Sequence, residues 1–159
     1  MEIREANEIL VHEVAFRGAQ ERDLPALRSL YAQLIPDEHP EIEDMRCSLR
    51  DLVAHPEAGL LVVGTVGDRV VCTCQIILYS NLVRAPRRKA EIDSVVVDSA
   101  FRGLGIGRSM MIWAMEWLAQ RDCSRAIVAT AYERDIAHRM YAKLGYVRNG
   151  YSFIYSFPR

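Results

Sequence analysis

Apolar positions along this chain of 159 residues change their period several times. Residues 11–18 read as a short strand. Leu24, Leu27, Leu30, Tyr31 and Leu34 then recur at helical spacing, and Pro36 closes the run. Residues 41–54 suggest a second helix, ended by His55-Pro56. Strands are expected at 59–66 and 69–80, joined by Gly67-Asp68, which suits a hairpin turn. An arginine-rich loop from Asn81 to Arg88 contains Pro86, and residues 90–98 form a β-branched central strand. The helix predicted from Gly105 to about Arg121 carries Met110, Met111, Trp113, Ala114, Trp117 and Leu118 as a core-facing stripe. A strand at 125–130, a helix at 135–144 and a final strand pair at 146–157 complete the pattern. Strands and helices alternate behind a hairpin-rich front half. The expectation is one α/β domain over residues 1–159, with a mixed central sheet of about six to seven strands flanked by about four helices.

The densest chemical signal lies where the central strand ends. Val95-Val96-Val97-Asp98 is followed by Arg102-Gly103-Leu104-Gly105-Ile106-Gly107, and the long helix begins at once. Glycines let a backbone turn tightly and approach a ligand with no Cβ in the way. A helix start presents unpaired N–H groups and the positive end of its dipole, which together favour a phosphate or diphosphate. A nucleotide-binding P-loop needs Lys and then Ser or Thr after the last glycine, whereas Arg108-Ser109 follows here. The spacing is G-x-G-x-G rather than the G-x-G-x-x-G of dinucleotide folds, and some ninety residues precede it. A glycine-rich strand-to-helix turn with no ligand is the plainer alternative.

The order Arg-Gly-x-Gly-x-Gly after a valine-rich strand resembles the acetyl-CoA signature of the GNAT superfamily of N-acyltransferases. Ala137-His138-Arg139-Met140-Tyr141-Ala142-Lys143-Leu144-Gly145-Tyr146 resembles its second signature, a short helix ending in Tyr-x-x-x-Gly-aromatic. Ala90-Glu91-Ile92-Asp93-Ser94-Val95 resembles its acid-bearing central strand. The resemblance implies a GNAT-like fold and acetyl-CoA as co-substrate. It assigns cofactor contacts to Val95, Val96, Val97, Arg102, Gly103, Leu104, Gly105, Ile106, Gly107 and Arg108, with the N–H of Val95 polarising the thioester carbonyl. Tyr141 is the implied general acid, since a phenol is protonated at neutral pH and can donate to a forming thiolate. Glu91 and Asp93 are candidate bases. Two apart on one strand, they share a face, and Val95 and Val97 share that parity. A carboxylate paired with Arg87, Arg88 or Lys89 is the structural alternative for both.

Composition narrows the remaining choices. Half the residues are hydrophobic and 26% are charged, an ordinary globular mixture, and the net charge of −1 argues against a nucleic-acid binder. No apolar run reaches membrane-span length, and Met1-Glu2-Ile3-Arg4-Glu5 lacks a secretion signal, so a cytoplasmic protein is expected. Cys47, Cys72, Cys74 and Cys123 show no metal-ligand spacing, nor do His12, His39, His55 and His138, so no metal is expected. The acceptor is less legible. The acidic segment Asp37-Glu38-His39-Pro40-Glu41-Ile42-Glu43-Asp44 suits a cationic amine, while Arg84, Arg87, Arg88 and Lys89 suit an anionic acceptor. The leading expectation is acetyl transfer to the primary amine of a small molecule by direct attack. Peptide or protein acetylation, at lysine or an N-terminus, and a non-catalytic acyl-CoA sensor are the alternatives. A homodimer is also expected, with Tyr151, Phe153, Tyr155 and Phe157 alternating along the last strand to line either an interface or the core.

Overall fold

The computed structural model describes residues 13–157. The acidic N-terminus, His12 and the first two residues of the expected strand at 11–18 lie outside the described residues. The chain divides into two compact units, residues 1–128 and 129–159.

The first unit holds a five-stranded mixed sheet. Its strands are β1 (Ala15–Gly18), β2 (Gly59–Val66), β3 (Arg69–Tyr79), β4 (Arg88–Val97) and β5 (Cys123–Val128), and they lie side by side in chain order. Neighbours are antiparallel up to β4, and β5 runs parallel to β4. A parallel neighbour cannot be reached by a hairpin, so the connection crosses over through a helix. Three helices complete the unit: α1 (Leu24–Leu34), α2 (Ile42–Ala54) and the crossover helix α3 (Ile106–Ala119).

Each sheet face has its own core. On one, Leu24, Leu27 and Leu30 of α1 and Leu49 of α2 pack with Leu61, Val63, Val70 and Val96. On the other, the rings of Phe16 and Trp113 of α3 lie 6.1 Å apart. That second face demands a glycine in β2. A Cβ on Gly64 would sit 2.4 Å from Cys72 Sγ and 2.9 Å from the Phe16 ring. At the entry to α1, Arg17 grips the buried carboxylate of Asp23 with bonds of 2.6 and 2.8 Å, and the Gln20 N–H adds a third at 2.8 Å. Burial pushes the Asp23 carboxyl up, but these donors outweigh it and hold it below the usual carboxylate range.

The second unit contains α4 (Asp135–Lys143) followed by residues without regular secondary structure. The strand pair expected at 146–157 does not form, which leaves five strands among the described residues instead of six or seven. Tyr151, Phe153, Tyr155 and Phe157 are between 77 and 95% exposed. Alternating aromatics favour a pleated surface only where a neighbouring strand supplies hydrogen bonds and burial. Here the alternation in sequence has no such support.

Candidate active site

The site begins at a break in β4. Cys72 and Thr73 pair with Val97 and Val96, whereas Gln75, Ile76 and Ile77 pair with Asp93, Ile92 and Glu91. The register therefore slips by one residue, and Ser94, at φ 51°, lies at the slip. This is a β-bulge: one extra residue in β4 bends the strand and interrupts its ladder.

The bulge also inverts the alternation of side chains. Partners across a ladder share a face. Glu91 and Asp93 stand with Ile77 and Gln75, and Val96 stands with Thr73, all at odd positions of β3. Both acids therefore share the α1 face with Val96, while Val97 stands with Cys72 on the α3 face. The expectation that Glu91, Asp93, Val95 and Val97 point one way is thus corrected, because an inserted residue resets the parity.

Beyond the bulge β4 has an open edge. β5 pairs with it from Arg88 only as far as Ile92. The Asp98 N–H donates to the Val71 carbonyl at 2.8 Å, which fixes the phase of the β3–β4 ladder. Val96 then turns its N–H and C=O toward β3, and Val95 and Val97 turn theirs to the open edge. There the Val97 carbonyl accepts a bond from Arg102 Nε at 3.0 Å.

The glycine loop follows directly. Gly103 and Gly105 adopt φ of 80° and 87°, which side chains with a Cβ avoid, and Gly105 caps α3. Ile106 is buried and anchors the turn. The N–H groups of Ile106, Gly107 and Arg108 lie in the first turn, where no intrahelical acceptor exists. The first turn of α2 carries Glu43 and Asp44 against its dipole, but that of α3 carries no acid. The positive end of α3 is met by no acid in its own first turn, a setting that favours an anion such as a phosphate.

A residue missed in the sequence faces the same patch from α1. Tyr31 is hydrogen-bonded to Thr73, whose Oγ1 donates to the Val62 carbonyl at 2.6 Å. Burial raises the Tyr31 pKa, the Thr73 bond opposes that rise, and the charge of Asp93 adds to it. Asp93 itself is exposed and Glu91 half-buried. A cleft of about 670 Å³ between α1 and the β2–β3 hairpin, lined by Arg17, Arg22, Asp23, Arg69 and Asp98 among others, includes neither acid nor the glycine loop.

In the second unit Tyr141 is buried on α4, its ring 5.7 Å from that of Tyr146. Its carbonyl accepts the Tyr146 N–H at 3.0 Å, and Gly145 makes the intervening turn at φ 86°.

Residues 24–146 match the profile of the Acetyltransferase (GNAT) family. This chain belongs to the GNAT family. Members of that family are acyltransferases that in general use acetyl-CoA as co-substrate. A protein of Agrobacterium tumefaciens str. C58, provisionally named an acetyltransferase, superposes with a TM-score of 0.82 at 28% identity, covering 90% of this chain and 99% of that one. Glucosamine-6-phosphate N-acetyltransferase from Arabidopsis thaliana superposes with a TM-score of 0.80 over 91% and 99% of the two chains, and at 18% identity it shows the shared fold alone. Human N-alpha-acetyltransferase 30 is 27% identical over 101 residues, 64% of this chain but only 27% of that relative's length.

For this GNAT chain, the structure brings Glu91, Asp93, Val95, Val96, Val97 and the loop from Arg102 to Arg108 together around the end of β4. Tyr141 belongs to the other unit. Among the described residues no group of His, Cys, Asp and Glu is arranged to hold a metal ion, and no helix is long and apolar enough to cross a membrane. Ser94 and Tyr31 are the two contributors that sequence reading passed over. A polar residue inside an otherwise β-branched strand was the available hint for Ser94.

Proposed function

We propose that this protein transfers the acetyl group of acetyl-CoA to the primary amine of a small molecule, by direct attack in a ternary complex. The observation that carries this reading is the open edge of β4 directly beside a carboxylate and a glycine-capped helix start. Acetyl-CoA supplies an activated thioester when bound. The loop from Arg102 to Arg108 holds the diphosphate, and the outward backbone groups of Val95 and Val97 pair with the pantetheine arm. The Val95 N–H donates to the carbonyl oxygen as negative charge gathers there, a role whose loss costs other enzymes about 10²–10³ in rate.

Of the two acids, we assign Asp93 to the amine. It lies past the last β5 rung, next to the bulge and two residues from Val95, whereas Glu91 has strands on both sides. Asp93 takes the ammonium proton, directly or through one water, so that the nitrogen's lone pair attacks the carbonyl carbon. Tyr141 is proposed, on the strength of the second signature, to return a proton to the departing sulfur.

The likeness to N-alpha-acetyltransferase 30 favours a second reading, in which the amine is a peptide N-terminus. A cytoplasmic setting is supported by four free cysteines, with burial pushing the Cys72 and Cys74 thiols up to about 12. A homodimer is supported by the exposed aromatic run at 151–157.

The deciding experiment measures CoA thiol release from acetyl-CoA with polyamines, aminosugars, amino acids and short peptides, for wild type and Tyr141→Phe. Turnover with one small amine, strongly reduced in the variant, is the expected result. Turnover confined to peptides selects the second reading. Tight CoA binding with no turnover on any amine replaces both with a sensor.

A further inference from the structure

Just before the glycine loop, a group of contacts serves no step of the transfer. Residues Ser99–Phe101 make a single 3₁₀ turn that carries the chain from β4 to Arg102. Asp98 accepts the Ala100 N–H at 3.0 Å on one carboxylate oxygen and Arg69 Nη2 at 2.8 Å on the other. The Arg69 guanidinium lies 4.8 Å above the Phe101 ring. The Ser99 N–H donates to Gln33 Oε1 of α1 at 2.8 Å. Three elements, α1, β3 and β4, thus converge on a turn of three residues.

Global stability is a poor explanation for this convergence. The Asp98 side chain is 15% exposed but that of Arg69 is 59% exposed, and an ion pair with one partner so open to water adds little to global stability. The contacts fix something local instead, namely the direction in which the chain enters Arg102–Gly107. That loop needs two left-handed glycines and an N-terminal helix turn held toward one point. A loop ordered before its ligand arrives spares the ligand the cost of ordering it.

We propose that Gln33, Arg69 and Asp98 form a clasp that preorganises the Arg102–Gly107 loop, and so act as positioning residues for CoA affinity. The clasp rests on the reading of that loop as the diphosphate seat. Asp98 is suited to the task because the Ala100 N–H above all, with burial opposing it, and then Arg69 and Gln33 hold its carboxyl below the usual range. Arg69 is suited because a planar fork can bond a carboxylate and stack on a ring at once, which lysine cannot do.

The test is calorimetric titration with CoA of wild type, Asp98→Asn, Gln33→Ala, Arg69→Met and Arg69→Lys, with Gly105→Val as the loop control. Asp98→Asn and Arg69→Met should each weaken CoA binding about three- to fivefold, the most that so exposed an ion pair can lend to ordering the loop, and Gln33→Ala about twofold. Arg69→Lys should recover only part of the loss. At saturating acetyl-CoA, kcat and the acceptor KM should stay within about twofold of wild type, because bound enzyme has its loop ordered by the ligand. Melting temperatures separate a folding defect from this effect. If Gly105→Val abolishes CoA binding while the clasp variants bind as wild type does, the clasp is overturned and the cofactor site stands. If the clasp variants lose kcat and melting temperature together with affinity, their role is general structure and the proposal fails. A wild type that binds no CoA overturns the cofactor site and the clasp with it.

Discussion

The two halves of β4 share one strand and do opposite work. From Lys89 to Ile92 the strand has β3 on one side and β5 on the other, and Ala90 and Ile92 are fully buried. From Val95 to Val97 it keeps β3 alone and turns alternate backbone groups to an open edge. A doubly paired strand has no backbone capacity left for a ligand, whereas a singly paired one offers donors and acceptors in a fixed row. Ser94 separates the halves, and the slip it introduces also puts the acids and the outward valines on different faces. One residue in an unusual conformation thus converts a packing strand into a binding strand.

The sharpest way to break this comparison is to remove the acids one at a time. Asp93→Asn, at the border of the open half, should lower kcat/KM by about 10²–10⁴, the range for a lost general base. Glu91→Gln, inside the doubly paired half, should lower it by less than about tenfold, since its position suits a relay better than direct contact. Steady-state rates with the acceptor found by the amine panel provide the check. The opposite ranking would move the base into the paired half and undo the assignment.

The backbone can be tested with an ester in place of the amide at Val95, installed with the α-hydroxy analogue of valine. This removes the N–H, keeps the side chain, and weakens the Ser94 carbonyl as an acceptor. If that N–H stabilises charge on the carbonyl oxygen, kcat should fall by about 10²-fold. Melting temperature should barely move, because the group does not serve the β3 ladder. The same replacement at Ile92 removes a ladder bond and should cost about 1 kcal/mol of stability, read by denaturant unfolding.

These contrasts also show what could be read before the fold was known. The helices were legible because Leu24, Leu27 and Leu30, or Met110, Met111 and Ala114, keep one apolar face through several turns. The loop from Arg102 to Gly107 was legible because few physical roles call for glycines between a β-branched strand and a helix. The facing of the acids was not legible, since alternation is a rule about uninterrupted strands and Ser94 interrupts one. Tyr31 was hidden for another reason. On α1 it counts as one more apolar position, and only the packing of α1 over β3 brings its hydroxyl to Thr73. The last strands were over-read, because aromatic alternation at 151–157 records a propensity and not a partner.

A smaller effect is expected at Tyr31, on the face that Asp93 shares. Tyr31→Phe removes a half-buried hydrogen bond and should cost about 0.5–1.5 kcal/mol near neutral pH. Its pKa is raised in the folded state, chiefly by burial, so the unfolded chain gives up this proton first as pH rises. Wild-type stability should therefore decline as pH climbs past about 10, the unperturbed phenol value. Unfolding curves of the variant against pH should show a shallower alkaline decline. Equal declines would mean that Tyr31 is free to ionise, and that it does not sense Asp93.

The smallest expected change is at the divider itself. Ser94 holds φ 51°, where a Cβ crowds the following carbonyl at a cost of about 1–2 kcal/mol. Ser94→Gly removes that strain but adds about 0.5–1 kcal/mol of unfolded-chain entropy. The two partly cancel, leaving a net gain of roughly 0–1.5 kcal/mol, measurable in urea titrations. Activity should be unchanged, because glycine accepts the same φ and keeps the bulge, so Asp93 stays on the α1 face and Val95 at the open edge. A glycine variant that keeps its stability but loses turnover would mean that the serine hydroxyl, and not the bend, is what the reaction needs. The geometric account of β4 would then give way to a chemical one centred on that oxygen.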